Sequence, residues 1–313
     1  MNPHLVLQAA HGLGLSAQHR IITYVREHGL TLTDFINLSA TDQEAAALSR
    51  SQAASLREAV SLAERWQDDL ERSSVSVVGY LDDGYPQRLR IRGQKAPSVL
   101  CLRGNRQLLG RDSIGFCGSR DTTPRGLEVV SEITQQLVLE NCLVISGHAR
   151  GTDTAAHVAA LRTGGATIIV APEGILNFRL RAELADIVDD TNTLVLSQFA
   201  PSAPWSIANA MARNRTISDL SNALVVIDSG DTGGTFEAGK YALKHNQLLY
   251  VANYDYPAEG TPGNAYFLAR GGRPLYTNGA TAQPNTDEIV RAVRQGEQSG
   301  SDSGSAPLQP RLL

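Results

Sequence analysis

The chain has 313 residues and a net charge of −4, which allows one large core plus a smaller module. The negative net charge argues against a protein that binds nucleic acid through its overall charge. The sequence contains no apolar run of about 18 residues, so no membrane-spanning helix is predicted. Cys101, Cys117 and Cys142 are isolated and are interpreted as core thiols of a cytoplasmic protein without a secretory signal, and neither metal nor cofactor is expected.

Residues 1–72 are predicted to form a helical N-terminal module. A glycine turn at 11–16 precedes an amphipathic run at 17–27, Thr31 is placed to cap a second helix, and 43–70 supplies one or two more. Small helical modules of this kind sometimes hold a DNA phosphate, but the acidic balance favours packing or partner docking. Residues 73–110 follow as an extended connector, with strands expected at 75–80 and 98–102.

From 111 to 294 the pattern alternates strands and helices, which predicts an α/β fold with a Rossmann-like, doubly wound, mostly parallel sheet. The predicted strands are 113–118, 142–146, 166–171, 193–197, 222–228, 248–252 and 274–277. The predicted helices are 124–140, 152–163, 179–188, 205–220, 233–245, 262–271 and 285–294. Residues 295–313 are rich in serine, glycine and glutamine, so we expect a disordered tail.

Four segments rich in glycine, serine or arginine lie between these elements. The first is Gly118-Ser119-Arg120, which ends a strand before a helix that begins near Pro124. The second, 146–153, has glycines that permit a tight turn and an arginine that offers a planar phosphate donor. The free N–H groups at the start of the next helix favour an anion there.

The other two segments complete the set. Arg213, Asn214 and Arg215 lie on one short helical run, and 229–235 joins a strand to the helical run 236–244 through Thr232, Gly233, Gly234 and Thr235. In an open parallel sheet, ligands bind outside the carboxyl ends of the strands, where the strand order reverses. The sequence therefore predicts one phosphate cradle at that edge, built by all four segments.

Several of these side chains have a second interpretation. Arg213 and Arg215 are two residues apart and do not share one helix face, so one of them is expected to pair with an acid such as Asp219 or Asp228. Asp153 is interpreted as a cap of the following helix and His157 as a satisfied structural histidine. Phe178, Trp205 and Tyr254 are able to stack on bases, but burial is favoured for each.

Cations in this chain are almost all arginine, since Lys95, Lys240 and Lys244 are its three lysines. High genomic GC content and phosphate recognition explain that bias about equally well. In either case a nucleic-acid surface on this acidic chain must be a local cluster.

The order of several motifs resembles the DprA (Smf) family over roughly residues 1–292. The similar segments are Tyr85-Pro86-Gln87-Arg88-Leu89, 96–100, Arg103-Gly104, Gly118-Ser119-Arg120, 146–153 with Ala156-His157, and 212–221. Thr152 stands where an isoleucine is usual in the family.

The resemblance implies single-stranded DNA binding in a basic pocket, homodimers, and delivery of the strand to a RecA-type recombinase in natural transformation. Matched position by position, it assigns the phosphate path to Gly118, Ser119, Arg120, Ser146, Gly147, Arg150, Arg213 and Arg215, with Lys240 extending it. It implies a binding protein without catalytic residues.

Two alternatives stay open. Gly233-Gly234-Thr235 and Glu237 resemble the phosphate turn of LOG-type nucleotide hydrolases. This alternative is an enzyme or sensor that acts on a free nucleotide, with phage defence as its setting and Glu237 as the catalytic candidate. A third hypothesis is a scaffold whose N-terminal helices dock a partner.

Overall fold

The computed structural model describes residues 1–44, 48–253, 261–275 and 284–301. Its N-terminal helices are α1 (Pro3–Ala9), α2 (Leu15–Glu27), α3 (Leu32–Asn37), α4 (Ala40–Glu44) and α5 (Arg50–Arg72). The predicted cap at Thr31 is confirmed, since its side chain accepts from the Asp34 N–H and Asp34 accepts from the Thr31 N–H. The disordered tail was predicted for 295–313, but the chain is helical as far as Ser301; Tyr254 and residues 302–313 lie outside the described residues.

The remaining helices and strands follow in an alternating order. The strands are β1 (Ser76–Gly79), β2 (Val99–Gly104), β3 (Ser113–Gly118), β4 (Leu143–Ser146), β5 (Thr167–Val170), β6 (Thr193–Ser197), β7 (Ala223–Ile227), β8 (Leu248–Val251) and β9 (Arg273–Pro274). The helices are α6 (Gln87–Arg90), α7 (Pro124–Leu139), α8 (Thr152–Arg162), α9 (Ile207–Leu220), α10 (Gly233–Lys244), α11 (Pro262–Leu268) and α12 (Thr286–Ser301).

The described strands form one sheet in the order β1-β2-β6-β5-β4-β3-β7-β8-β9. Pairing is parallel from β6 to β9, and β1 and β2 add an antiparallel edge beside β6. The chain winds outward from β3 to β6, then crosses back so that β7 pairs with β3 on its other side. The predicted doubly wound sheet is confirmed, and its strand order reverses between β3 and β7.

Helices cover both faces of the sheet. Ile133 of α7, Ala160 of α8 and Ile289 of α12 belong to a buried apolar cluster on one face. A second cluster contains Ile217 of α9 and Ala242 of α10 and continues into the N-terminal helices. His19 links α2 to the connector, with its Nε2 atom 2.7 Å from the Ala96 carbonyl oxygen.

The chain between β5 and β6 departs from the prediction, because the helix expected at 179–188 is absent from this described segment. A single 3-10 turn occurs there, at Ala182–Leu184. The Arg181 N–H donates to the His148 ring, and the Arg179 guanidinium donates to the carbonyl oxygens of Leu176 and Phe178. The backbone groups of this segment therefore form hydrogen bonds with side chains instead of the hydrogen bonds of a helix.

Two predictions made from the composition, on the cysteines and on membrane spans, can be compared with the structure. Cys101, Cys117 and Cys142 are free and buried, which confirms them as core thiols, and burial raises the pKa of Cys142 to about 11. Among the described helices, none combines the length and apolar character that crossing a membrane requires.

Candidate functional site

The turns after β3 and β7 are joined at the point where the strand order reverses. Asp228, at the end of β7, accepts hydrogen bonds from the Thr123 N–H at 2.7 Å and from the Thr123 hydroxyl at 2.9 Å. The Thr235 hydroxyl, in the first turn of α10, donates to the Gly118 carbonyl oxygen at 2.8 Å. Two of the predicted segments therefore meet, as the sheet order requires.

The turn after β4 packs directly on the turn after β3. Gly151 has a φ of +76°, and a Cβ there would lie 2.5 Å from the Ser119 carbonyl oxygen. A Cβ on Gly118 would lie 2.0 Å from the Thr152 hydroxyl oxygen. Both glycines are therefore needed for close approach of these turns, and three of the four predicted segments share one rim.

An open cleft of about 280 Å³ lies on this rim. We call it the arginine cleft, and it is lined by Arg120, His148, Ala149, Arg150, Pro172, Glu173, Arg181, Trp205 and Arg213. Four guanidinium groups thus surround a small space that contains one carboxylate.

Arg213 lies at the base of the cleft and is 5% exposed. Its Nη1 atom donates to the Asp153 carboxylate at 3.3 Å, and the same carboxylate oxygen accepts from the Ala149 N–H at 3.2 Å. Asp219 or Asp228 was the predicted acid partner of one of the two arginines, but the partner of Arg213 is Asp153. Asp153 does not cap α8 either, since the N-cap position is Gly151.

Gly147 makes this buried ion pair possible. A Cβ on Gly147 would lie 1.1 Å from the Arg213 Nη1 atom and 2.3 Å from the Asp153 carboxylate. The residue is buried and has this packing role, while its place in the phosphate path stays a prediction. Its carbonyl oxygen lies 2.6 Å from His157 Nε2.

The other three arginines of the cleft are accessible. The Arg120 guanidinium lies 5.7 Å from the centre of the Trp205 ring and makes no hydrogen bond or ion pair within the described chain. Arg150 pairs with Asp121, and Arg181 pairs with Glu183 at 3.2 Å. Exposed pairs of this kind contribute about 0–1 kcal/mol, so a ligand phosphate is able to replace the carboxylate.

The prediction that Trp205 is buried is wrong, because its side chain is 50% exposed. It stands just before α9, whose N-cap is Ser206. Phe178 is buried as expected and packs against the His148 ring at 4.6 Å between centroids.

Burial shifts the pKa of two ionisable groups of the cleft, His148 and Glu173. Burial, with the nearby His157, Arg181 and Arg213, lowers the pKa of His148 from 6.5 to about 4. Burial also raises the pKa of Glu173. Four arginines line the cleft with one carboxyl group, so arginine dominates the charge of the site.

Ser146 and His157 are structural. Ser146 is fully buried and its hydroxyl donates to the Phe116 carbonyl oxygen at 2.8 Å, while its assignment to the phosphate path stays a prediction. Both ring nitrogens of His157 are engaged, with Thr167 and Gly147. Burial lowers its pKa, and the neutral ring must carry its proton on Nε2 to serve the Gly147 carbonyl.

The remaining segment, 213–215, contributes to two different sites, because Arg213 lines the arginine cleft and its two neighbours do not. Asn214, Arg215, Glu237 and Lys240 line a second depression of about 760 Å³, on the far side of α9 from the arginine cleft. Thr232 and Gly233 are exposed at the start of α10, and the Gly234 carbonyl accepts from Asn214 at 3.1 Å. The predicted single cradle is therefore two sites, separated by α9.

Glu237 is placed away from the arginine cleft as well. It is exposed and its carboxylate lies 2.9 Å from the Lys240 ammonium group. The geometry gives it no position beside Arg120 or Arg150, so the hydrolase hypothesis gains no support from the cleft.

The sequence did not assign three ionisable lining residues to the cleft: His148, Glu173 and Arg181. Arg181 fell inside the predicted helix 179–188, so its approach to the β4 turn had no signal. His148 stands within the glycine-rich turn, and its position between Gly147 and Arg150 was the available clue.

The sheet order, its reversal between β3 and β7 and the cationic cleft beside it define a Rossmann-like α/β protein with an arginine-lined site at the carboxyl edge. Residues 76–294 match the family model described as DNA recombination-mediator protein A. The chain belongs to this DprA family.

Curated relatives share this part of the chain. It is 33% identical over 202 residues to the DNA processing protein DprA of Streptococcus pneumoniae, a match that covers 64% of this chain and 70% of the relative. It is 28% identical over 201 residues to the DNA processing protein DprA of Bacillus subtilis, covering 63% of this chain and 64% of that protein. The chain spans less than two thirds of the second relative.

Solved structures support the same fold. The DprA structure from Streptococcus pneumoniae superposes with a TM-score of 0.73 at 24% identity, covering 88% of this chain and 95% of that one. The Helicobacter pylori DprA, solved to show its single-stranded DNA binding mode, gives 0.57 at 20% identity, covering 71% and 96%.

Proposed function

We propose that the protein binds single-stranded DNA in the arginine cleft. The observation that carries the proposal is the exposed Trp205 ring beside the unpaired Arg120 guanidinium, on the rim where the strand order reverses. Membership of a DNA-processing family and the binding mode named for the Helicobacter pylori relative support it.

Phosphate is the chemistry that the cleft fits best. Arg120, Arg150 and Arg181 present planar forks that match phosphate oxygens.

A single strand fits better than a duplex. Trp205 offers a ring face for stacking, and an unpaired base exposes a π-face that a duplex base pair hides. The cleft holds about 280 Å³, close to the lower limit of about 300 Å³ for ligand pockets, so it accommodates a nucleotide unit rather than a helix. Little base readout is expected, since the polar groups lining it are mainly arginines.

Arg120→Ala is expected to weaken binding of a single-stranded oligonucleotide roughly tenfold, because a charge-assisted contact is lost. With three accessible arginines, log K should fall with log salt at a slope of about −2, and the variant should reduce that slope by about 0.7. Fluorescence anisotropy across a salt series measures both.

Arg162→Ala is the matched control for this variant. Arg162 is an exposed arginine at the last turn of α8, outside the cleft. Equal weak binding of single- and double-stranded oligonucleotides, with the same loss in both variants, would contradict the proposal.

Trp205→Ala is expected to lower single-strand affinity by about 1–3 kcal/mol, with the salt slope unchanged. The uncharged stacking contact is lost while the phosphate contacts stay. Because the ring is half exposed, the melting temperature should change little. Leu139→Ala, which removes a 77% exposed side chain at the end of α7, is the control. A loss that salt modulates would indicate that Trp205 acts only by positioning Arg120.

Three narrower roles belong to the same proposal. Delivery of the strand to a RecA-type recombinase is supported by the family description as a recombination mediator. A homodimer, and a cytoplasmic role in natural transformation, are what the family resemblance implies.

A further inference from the structure

The second depression differs from the arginine cleft in its cations. We call it the lysine groove, because Lys95, Lys240 and Lys244, the three lysines of the whole chain, all line it. It lies between α9 and α10, with α11 and the 3-10 turn Gly93–Lys95 at its ends, and it encloses about 760 Å³. The chain has 25 arginines against three lysines, which makes this clustering of lysines a distinctive feature.

The groove carries a strong excess of positive charge. Arg215 and Arg270 join the three lysines, and Glu237 is the one carboxylate among the residues that line it. Lys95, Lys244 and Arg215 have no ion-pair partner in the described part of the chain. Lys240 and Lys244 are one helical turn apart, where like charges repel. An anionic ligand removes that repulsion.

Base stacking is disfavoured here, because the rings of the groove are already occupied. The Arg270 guanidinium lies 3.8 Å from the centre of the Tyr266 ring. The Tyr241 hydroxyl donates to Asp219, and the Tyr241 ring lies 4.0 Å from the His245 ring. The accessible apolar surface is aliphatic instead, from Met211 and Leu243.

One lining residue of the groove, Tyr241, is held by a network behind it. Its hydroxyl donates to the Asp219 carboxylate at 2.9 Å, and Arg92 Nε lies 2.7 Å from the same carboxylate. This network ties the connector to α9 and α10. A wall that is fixed in advance reduces the entropy lost on binding.

We propose that the lysine groove docks an acidic peptide segment of a partner protein, with aliphatic side chains among its carboxylates. Ammonium groups on flexible stems pair with carboxylates without demanding the fixed geometry of a guanidinium fork. Met211 and Leu243 receive the aliphatic side chains, and a thioether adapts to different shapes. The site lies across α9 from the DNA cleft, so the inference goes beyond the proposed function and does not depend on it.

The test uses the full chain and a fluorescein-labelled peptide of glutamates with two leucines. Lys240→Glu combined with Lys244→Glu is expected to weaken peptide binding about tenfold, since two ion pairs become repulsive. A peptide with serines in place of the leucines should bind more weakly to the unaltered chain. A single-stranded oligonucleotide is titrated in parallel.

The matched control is Arg57→Glu with Arg162→Glu, two exposed arginines outside both sites that give the same change in net charge. Equal peptide loss in both double variants would overturn the proposal. So would loss of oligonucleotide binding with peptide binding intact, which would make the groove a second DNA path. Lys95→Gln with Lys244→Gln, both exposed, gives a milder variant if the reversal unfolds the chain. Failure of the Arg120→Ala prediction leaves the peptide result unaffected.

Discussion

Arg213→Met is expected to lower the free energy of unfolding by about 3–5 kcal/mol, because it leaves the Asp153 carboxylate buried without its partner. Methionine fills similar space, so the loss comes from the unpaired charge rather than from a cavity. Urea unfolding at neutral pH measures it. Arg215→Met, two residues along the same helix but exposed, should change the stability by about 0.5 kcal/mol or less.

A second substitution separates the charge from the packing. Asp153→Asn in the Arg213→Met background should recover part of the lost stability, since an amide is uncharged and its oxygen still accepts from the Ala149 N–H. If Arg213→Met instead left stability nearly intact while abolishing DNA binding, Arg213 would be a direct strand contact and the ion pair would be unimportant.

The sequence predicted the sheet well because its signals are local. Buried strands such as β3 and β7 are short apolar runs followed by glycine turns, and the alternation with helices defines a doubly wound sheet. Carboxyl ends of parallel strands share an edge, so the convergence of the turns at Gly118, Gly151 and Thr235 followed from topology alone.

The division into two sites was not predictable in the same way. Arg213 and Arg215 are about 200° apart around α9, so they cannot face one ligand. Which of them faces the β4 turn depends on the rotation of α9 in the core, and that is set by buried residues such as Ile217. The ion pair with Asp153 joins residues sixty positions apart, and no local pattern indicates it.

Trp205 shows a further limit. Large aromatic side chains are usually buried, and that tendency predicted the wrong environment. Its exposure follows from its place just before the Ser206 cap of α9, on the rim rather than over the core. An exposed ring at a functional edge is the kind of local conflict that marks a binding site.

Acidification from pH 7.5 to 5 is expected to destabilise the protein by a few kcal/mol. Burial lowers the pKa of His4, His19, His148 and His157, for His4 and His148 from 6.5 to about 4. Between those values the unfolded chain binds protons that the folded chain does not, so stability is complete above pH 6.5 and falls as the pH drops toward 4. For each of His4 and His148, the loss by pH 5 is about 2 kcal/mol.

The His148 contribution is isolated by His148→Gln, whose unfolding free energy should depend less on pH than that of the unaltered chain. Protonation of His148 removes the acceptor for the Arg181 N–H and adds a charge beside Arg213, so acid acts on the cleft itself. Glu173 and Asp219, whose pKa values burial raises, act in the opposite direction and favour the folded state as the pH falls. Because Glu173 and Asp219 titrate in both the unaltered chain and His148→Gln, their contribution cancels when the pH profile of one protein is subtracted from that of the other. Identical profiles from pH 7.5 to 5 would mean that His148 is protonated in the folded cleft, beside Arg181 and Arg213, which should prevent it.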